Sequence, residues 1–200
     1  MLTVDIKAQD PRAFTPFLKT SPDGAEVWLS HKIADGVSAW PMTRSPKVLD
    51  TVDLGQNARP NHVEFVENAR GKFVYVSLAR VDDGGPGGAA SSKIAIIDRS
   101  ASAGSRKVVD EFFSHGREAH GLWTNPEGTR LYVAHEQDEL PNTANAGQTV
   151  CSVFDVSEPA RPQFVTQIPL GDLSLPSGKL RNKKSINLVY VRPGARGQAG

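Results

Sequence analysis

The sequence predicts an all-β chain, a partial or small β-propeller of four-stranded blades, on three observations. A turn motif occurs three times, as Ser21-Pro22-Asp23-Gly24, Glu67-Asn68-Ala69-Arg70-Gly71 and Asn125-Pro126-Glu127-Gly128. Each turn leads into a short run rich in β-branched and aromatic residues: Glu26–Ser30, Phe73–Ser77 and Arg130–Ala134. No segment sustains a helical apolar period, so few helices are expected. Proline second and glycine fourth suit a type I turn, where Pro presets φ and Gly relieves the exit. The motif glycines are 47 and then 57 residues apart.

Within each unit the elements follow in one order. An opening strand precedes the turn, over Ala13–Lys19, Asn61–Val66 and Ala119–Thr124. After the second strand and a variable loop comes a third, at Val37–Trp40, Lys93–Asp98 and Val150–Asp155. A fourth ends in glycine: Lys47–Gly55, Lys107–Gly116 and Gln163–Gly171. These bound three complete blades, 13–55, 61–116 and 119–171. Residues 1–7 read as the last strand of a preceding blade and 185–191 as one strand of a following blade. The tail, 193–200, is too poor in apolar residues to order itself. In the first unit Trp40-Pro41 stands where Ile-Asp is expected, which predicts a short or edge strand there.

Burial explains why such units stack. A four-stranded sheet that is apolar on both faces cannot cover them alone, whereas neighbours around an axis cover both. A β-sandwich would not require the same turn in the same place three times. Three blades with odd terminal strands leave three arrangements: a piece of a larger propeller, a four-bladed ring closed by 2–6 and 186–191, or a ring completed by a second copy of the chain.

Composition narrows the function. The chain has 23 Lys and Arg against 22 Asp and Glu, a formal charge of +1, which argues against a nucleic-acid partner held by phosphate neutralisation. No apolar stretch is long enough to span a membrane. The single cysteine, Cys151, excludes an intrachain disulfide and a cysteine-based zinc cluster, and inside an apolar strand its thiol reads as packing. With 18 glycines and 14 prolines the chain is rich in turns. No apolar leader follows Met1.

The repeats resemble the YVTN family of β-propeller repeats, with a consensus similar to "SPDG-x-x-LYVAN … VSVIDT … PHG". The matching residues are Asn125–Ala134, Phe73–Val76, Ile94–Asp98 and Ala119–Gly121. Val153–Pro162 resembles the related LVIVD repeat. The likeness covers roughly residues 10–171 and implies architecture more than chemistry. By the same resemblance, relatives are often periplasmic, secreted or cell-surface proteins of bacteria.

Two loops draw attention. Val81–Ser92 is glycine-rich, but Pro86 interrupts it and no helix follows, so it reads as a mobile surface loop rather than a phosphate cradle. Lys179, Arg181, Lys183 and Lys184 form a short basic run that reads as a solvated loop. No Gly-x-Ser-x-Gly or His-Glu-x-x-His signature is present.

The histidines form the one constellation. Aligned on the turn glycines, His62 and His120 share a repeat position early in the opening strand, with Pro16 as the first unit's counterpart. His31 and His135 share another, each seven residues after its turn glycine, where the middle unit has Leu78. Innermost strands would aim His62 and His120 at the axis, with His135 and Glu136 near a blade end. These four are the candidate ligand-binding residues. Imidazoles from separate blades make His62 and His120 candidate transition-metal ligands, to be completed by His31, His135, Glu118 or Glu136. Copper-bearing propellers such as nitrous oxide reductase are similar in principle. A structural role at the blade start is the competing reading, and no cofactor is implied by it.

Two function classes follow. The leading reading is a non-enzymatic binding or scaffold module, presenting loops 81–92 and 136–149 and an axial channel to a protein or small molecule. The other is an enzyme. Asn125–Glu136 resembles a repeat of lactonases of the 6-phosphogluconolactonase type, which would place His120, His135 and Glu136 around a lactone carbonyl.

Overall fold

The computed structural model describes residues 5–6, 11–137, 150–170, 173–175, 178–180, 186–187 and 189. Alternating apolar residues and tight turns give three four-stranded antiparallel sheets, each a simple meander. Sheet 1 holds β1 (Leu18–Thr20), β2 (Glu26–His31), β3 (Gly36–Pro41) and β4 (Asp50–Asp53). Sheet 2 holds β5 (Pro60–Asn68), β6 (Gly71–Asp82), β7 (Ser91–Asp98) and β8 (Val108–Phe113). Sheet 3 holds β9 (Ala119–Thr124), β10 (Arg130–His135), β11 (Val150–Asp155) and β12 (Gln163–Pro169). A two-stranded ribbon follows, β13 (Leu173–Leu175) and β14 (Gly178–Leu180). The chain is a partial β-propeller. Among the described residues no helix is long and apolar enough to cross a membrane.

Two apolar seams hold the sheets together. Trp28, Val37, Ala39 and Val52 of sheet 1 pack on Val63, Phe65, Val74, Val76 and Ile97 of sheet 2. Tyr75, Ile94 and Ile96 of sheet 2 pack on Leu122, Leu131, Val133 and Phe154 of sheet 3. Along β6 and β7 the residues alternate between the two seams, so the middle sheet is buried on both faces by period-two patterning alone.

Several elements depart from the sequence reading. The opening strand of the first unit is only three residues, 18–20, because Pro16 cannot join a ladder; its carbonyls still accept, Phe14 O from Lys32 N–H at 2.8 Å and Phe17 O from Ser30 N–H at 3.0 Å. β3 is a full interior strand rather than a short or edge one. Pro41 sits past the β4 register, which ends at the Ala39–Asp50 pair, so its missing N–H costs no bond on that side. The glycine-rich loop is smaller than expected: Val81 and Asp82 pair with Ser92 and Ser91, and Pro86–Gly88 form one 3-10 turn. Of the expected terminal strands, Asp5, Ile6, Ile186, Asn187 and Val189 are described, and none lies in a strand. Residues 138–149 of the second loop, the basic run from Arg181 on and the tail lie outside the described residues.

The seam between sheets 2 and 3 also requires one glycine. Gly128 has φ +63°, and a Cβ there would clash with the Glu67 carbonyl oxygen. Asn68 Nδ2 holds the same spot, donating to the carbonyls of Gly128 (3.0 Å), Ser157 (3.3 Å) and Val156 (3.4 Å). Gly24 has φ +68° with no atom within 4 Å of an added Cβ. Gly24→Ala should therefore cost only the backbone term, about 1–3 kcal/mol. Gly128→Ala should cost measurably more, the excess being the seam contact. Equal losses in thermal melts of the two variants would contradict this.

Candidate functional site

The innermost strands are β1, β5 and β9. Lys19 faces Trp28 across its hairpin, Glu64 faces Tyr75 and Trp123 faces Tyr132. Trp28, Tyr75 and Tyr132 each lie four residues after their turn glycine, so Lys19, Glu64 and Trp123 occupy one repeat position. The three side chains meet. Lys19 Nζ lies 2.6 Å from Glu64 Oε2 and 4.4 Å from the centre of the Trp123 ring. Glu64 Oε1 accepts from Phe65 N–H at 3.0 Å and lies 3.5 Å from Thr124 Oγ1. Glu64 is almost wholly buried, and burial pushes its carboxyl up, with Lys19 and the hydrogen bonds pulling the other way. Beside the trio a cleft of about 540 Å³ opens between the inner strands and their turns, lined also by Glu67, Thr124 and Asn125. Glu67 is held by Arg99 Nη1 at 2.5 Å.

Of the expected histidines, His62 and His120 lie further along inner strands β5 and β9, and His31 and His135 end β2 and β10. His62 is buried, its Nδ1 accepts from Leu122 N–H at 3.2 Å, and its ring lies 3.6 Å from that of Phe17. Its Nε2 has no hydrogen-bond partner among the described residues. Burial, with the charges of Lys19 and His120, lowers it to about 3, so the ring is neutral. His120 is half-buried and also lowered by burial, against the opposing pull of Glu136 and the Ile186 carbonyl. Its backbone carbonyl accepts from Ser77 Oγ at 2.5 Å, and Ser77 Oγ accepts from His62 N–H at 2.9 Å, so one hydroxyl ties the two strands. Glu136 N–H donates to the Glu118 carbonyl at 3.0 Å. His135 is wholly buried between sheets 2 and 3, with Nε2 3.1 Å from Ser114 Oγ, and burial lowers it to about 4. His31 bonds Thr15 Oγ1 at 3.0 Å and Ser38 Oγ at 2.7 Å. Among the described residues no three His, Cys, Asp or Glu side chains gather as a metal ion would need.

The register corrects one equivalence. From inner-strand residue to turn glycine runs 64 to 71 in the second unit, two residues longer than 19 to 24 and 123 to 128. His62 therefore matches Gly121, and His120 matches Asn61. Asn61 uses its amide structurally, donating to the Ala119 carbonyl at 3.1 Å and accepting from Lys32 Nζ at 2.6 Å. Leu78 faces Pro60 and His135 faces Ala119, which makes these two equivalent, and His31 also lies seven residues after its turn glycine. Lys19, Glu64 and Trp123 were missed because no two share a residue type. Aligning on the aromatic of the second strand would have found them.

A sector of propeller sheets around a charged axial cleft is the class of structure these features define. No protein-family model matches the chain, and no curated protein matches it. Solved structures do. A candidate 6-phosphogluconolactonase of Bacteroides fragilis superposes with a TM-score of 0.66 at 17% identity, over 90% of this chain and 43% of that one. One from Bacteroides uniformis gives 0.60 at 18%, over 88% and 48%. A periplasmic gluconolactonase of Pseudomonas aeruginosa gives 0.55 at 17%, over 80% and 41%. The chain shares the β-propeller fold of these structures and spans under half the length of each.

Proposed function

We propose that the cleft beside Lys19, Glu64 and Trp123 is part of an axial site for a small polyhydroxylated ester, and that it opens lactones with water. The observation that carries this reading is the convergence of a buried carboxylate, an ammonium and an aromatic face from three equivalent positions at the axis. The lactonase neighbours support it at the level of fold.

Each residue has a role in that reaction. The Trp123 face packs on the C–H side of the sugar ring. Glu64, its basicity raised by burial, takes a proton from water as the water oxygen bonds to the lactone carbonyl carbon. The Lys19 ammonium faces the carbonyl oxygen as charge develops on it. Collapse breaks the ring C–O bond, the leaving oxygen takes the proton from Glu64, and the product is a hydroxy acid. His62, two residues along the same strand face and neutral, adds no competing charge.

The test is hydrolysis of a neutral aldonolactone by the 200-residue chain, read as proton release. Glu64→Gln should lower kcat by about 10²–10⁴-fold, with the sheet signature in circular dichroism unchanged. A wild-type rate no higher than the spontaneous one, or a Glu64→Gln rate equal to wild type, would end the reading. Lactone quenching of Trp123 emission without turnover would instead favour the binding-module reading, which draws on the same cleft.

A further inference from the structure

We propose that Ser38 and His31 form a nucleophile–base pair that cleaves small esters by acyl transfer to Ser38, at a site of sheet 1 separate from the axial cleft. The hairpin sets the pair. His31 ends β2 opposite Gly36, and Ser38 lies two residues further along β3, so the two side chains are diagonal neighbours on one face. Ser38 Oγ lies 2.7 Å from His31 Nε2, and Thr15 Oγ1 lies 3.0 Å from His31 Nδ1. Trp40, on the same face of β3, donates its indole N–H to Ser38 Oγ at 2.8 Å. An indole nitrogen only donates, so Ser38 Oγ accepts there and keeps its own proton for another partner. The arrangement that uses every proton has Ser38 O–H donating to Nε2, and Nδ1–H donating to Thr15 Oγ1. A hydroxyl thus sits on the basic nitrogen of an imidazole whose other nitrogen is held by a third group.

The pair borders a space that a substrate can enter. His31 and Ser38 are otherwise buried, and both line a cavity of about 580 Å³ between Ile6 and Arg12 on one side and β2, β3 and β4 on the other. This cavity shares no lining residue with the cleft beside Glu64. Trp40 adds an apolar wall and Arg12 a guanidinium. Asp35 and Asp53 also line it, but backbone N–H groups already occupy their carboxylates. Asp35 accepts from Asn57 and Arg59, each at 2.9 Å, and Asp53 from Gly55 at 2.9 Å. Such walls suit a small uncharged ester. The repeat itself does not require the pair. His135, seven residues after its own turn glycine, has Nε2 3.1 Å from Ser114 Oγ in the seam between sheets 2 and 3, and the middle unit has Leu78.

The reaction runs in two steps. Ser38 Oγ bonds to the ester carbonyl carbon as its proton passes to His31 Nε2, with the Arg12 guanidinium facing the charge that develops on the carbonyl oxygen. Collapse breaks the bond to the leaving oxygen, which takes that proton from Nε2, and the acyl group stays on Ser38. Water then gives a proton to Nε2 as its oxygen bonds to the acyl carbon. The acid departs, and the proton returns to Ser38 Oγ. Thr15 is a positioning residue, since it holds the ring through Nδ1 and touches no reacting atom.

A fluorophosphonate, which captures hydroxyls activated by a neighbouring base, is the probe. The 200-residue chain should take up one phosphonyl group, and peptide mapping should place it on Ser38. His31→Gln should slow this labelling by about 10²–10⁴-fold. Thr15→Val keeps the side chain's shape and removes the acceptor, so it should slow labelling while the melting temperature stays near that of wild type. An unlabelled wild type would overturn the proposal, as would a label on any residue other than Ser38. A folded His31→Gln variant labelled at the wild-type rate would overturn it too. If His31→Gln does not fold, Thr15→Val decides: labelling at the wild-type rate overturns the pair, and slowed labelling of a folded chain supports it.

Discussion

Arg99→Met is expected to destabilise the fold by about 1–3 kcal/mol, the cost of leaving the half-buried Glu67 and the exposed Asp23 without their charged hydrogen-bond donor. Arg99 follows β7, is buried, and bonds three acids. Nη2 lies 2.7 Å from both Asp23 oxygens, in the turn of sheet 1. Nε lies 3.2 Å from Glu26 Oε2, and Nη1 2.5 Å from Glu67 Oε1. Its guanidinium also covers the Phe65 ring at 5.6 Å. Hydrogen bonds from Arg99 hold the Asp23 carboxyl far below its usual range. Methionine fills similar volume but strands Asp23 and Glu67, while Glu26 keeps Arg106 at 2.7 Å. Arg99→Lys should fall between the two, since one ammonium cannot present three donors in a fixed plane. Urea midpoints decide the matter: a methionine variant within 1 kcal/mol of wild type would show that the apolar seam alone joins sheets 1 and 2.

The protein should lose stability steeply below pH 6.5. His62 and His135 are neutral in the fold, lowered from 6.5 to about 3 and about 4, chiefly by burial. The unfolded chain binds those protons at higher pH than the folded one does. The stabilisation is therefore fully present above pH 6.5 and is lost as pH falls toward the folded values. Each histidine contributes about 1.4 kcal/mol per pH unit across that window. Two acting together can exhaust a marginal fold before pH 4. His135→Gln, which keeps a polar group opposite Ser114, should flatten the slope. Melting temperatures that do not change between pH 7 and 4.5 would refute the assignment.

Much of the architecture was legible because its signals are local. The Pro-Asp-Gly and Pro-Glu-Gly turns mark hairpins, and Phe73–Val76 is continuously apolar because both its faces are covered. β3 was misjudged because a proline is harmful only where a partner wants its N–H, and sequence does not show where β4 ends. The histidines were visible as residue types, and two of them do lie on adjacent inner strands. Their alignment was off by one residue, and in a strand one residue is the other face. The axial trio was invisible as a group because lysine, glutamate and tryptophan in separate units share no motif.

What the sequence determined by itself was the repeating unit: strand, turn, strand, loop, strand, turn, strand, with apolar residues on both faces and hence a need for neighbours. Only the tertiary structure decided which side chains meet at the axis. Lys19, Glu64 and Trp123 are 45 and 59 residues apart, and they touch because successive sheets are rotated about a common centre with each register set by the length of its own turn. Alternation is a local property of the backbone, whereas convergence depends on how whole sheets pack.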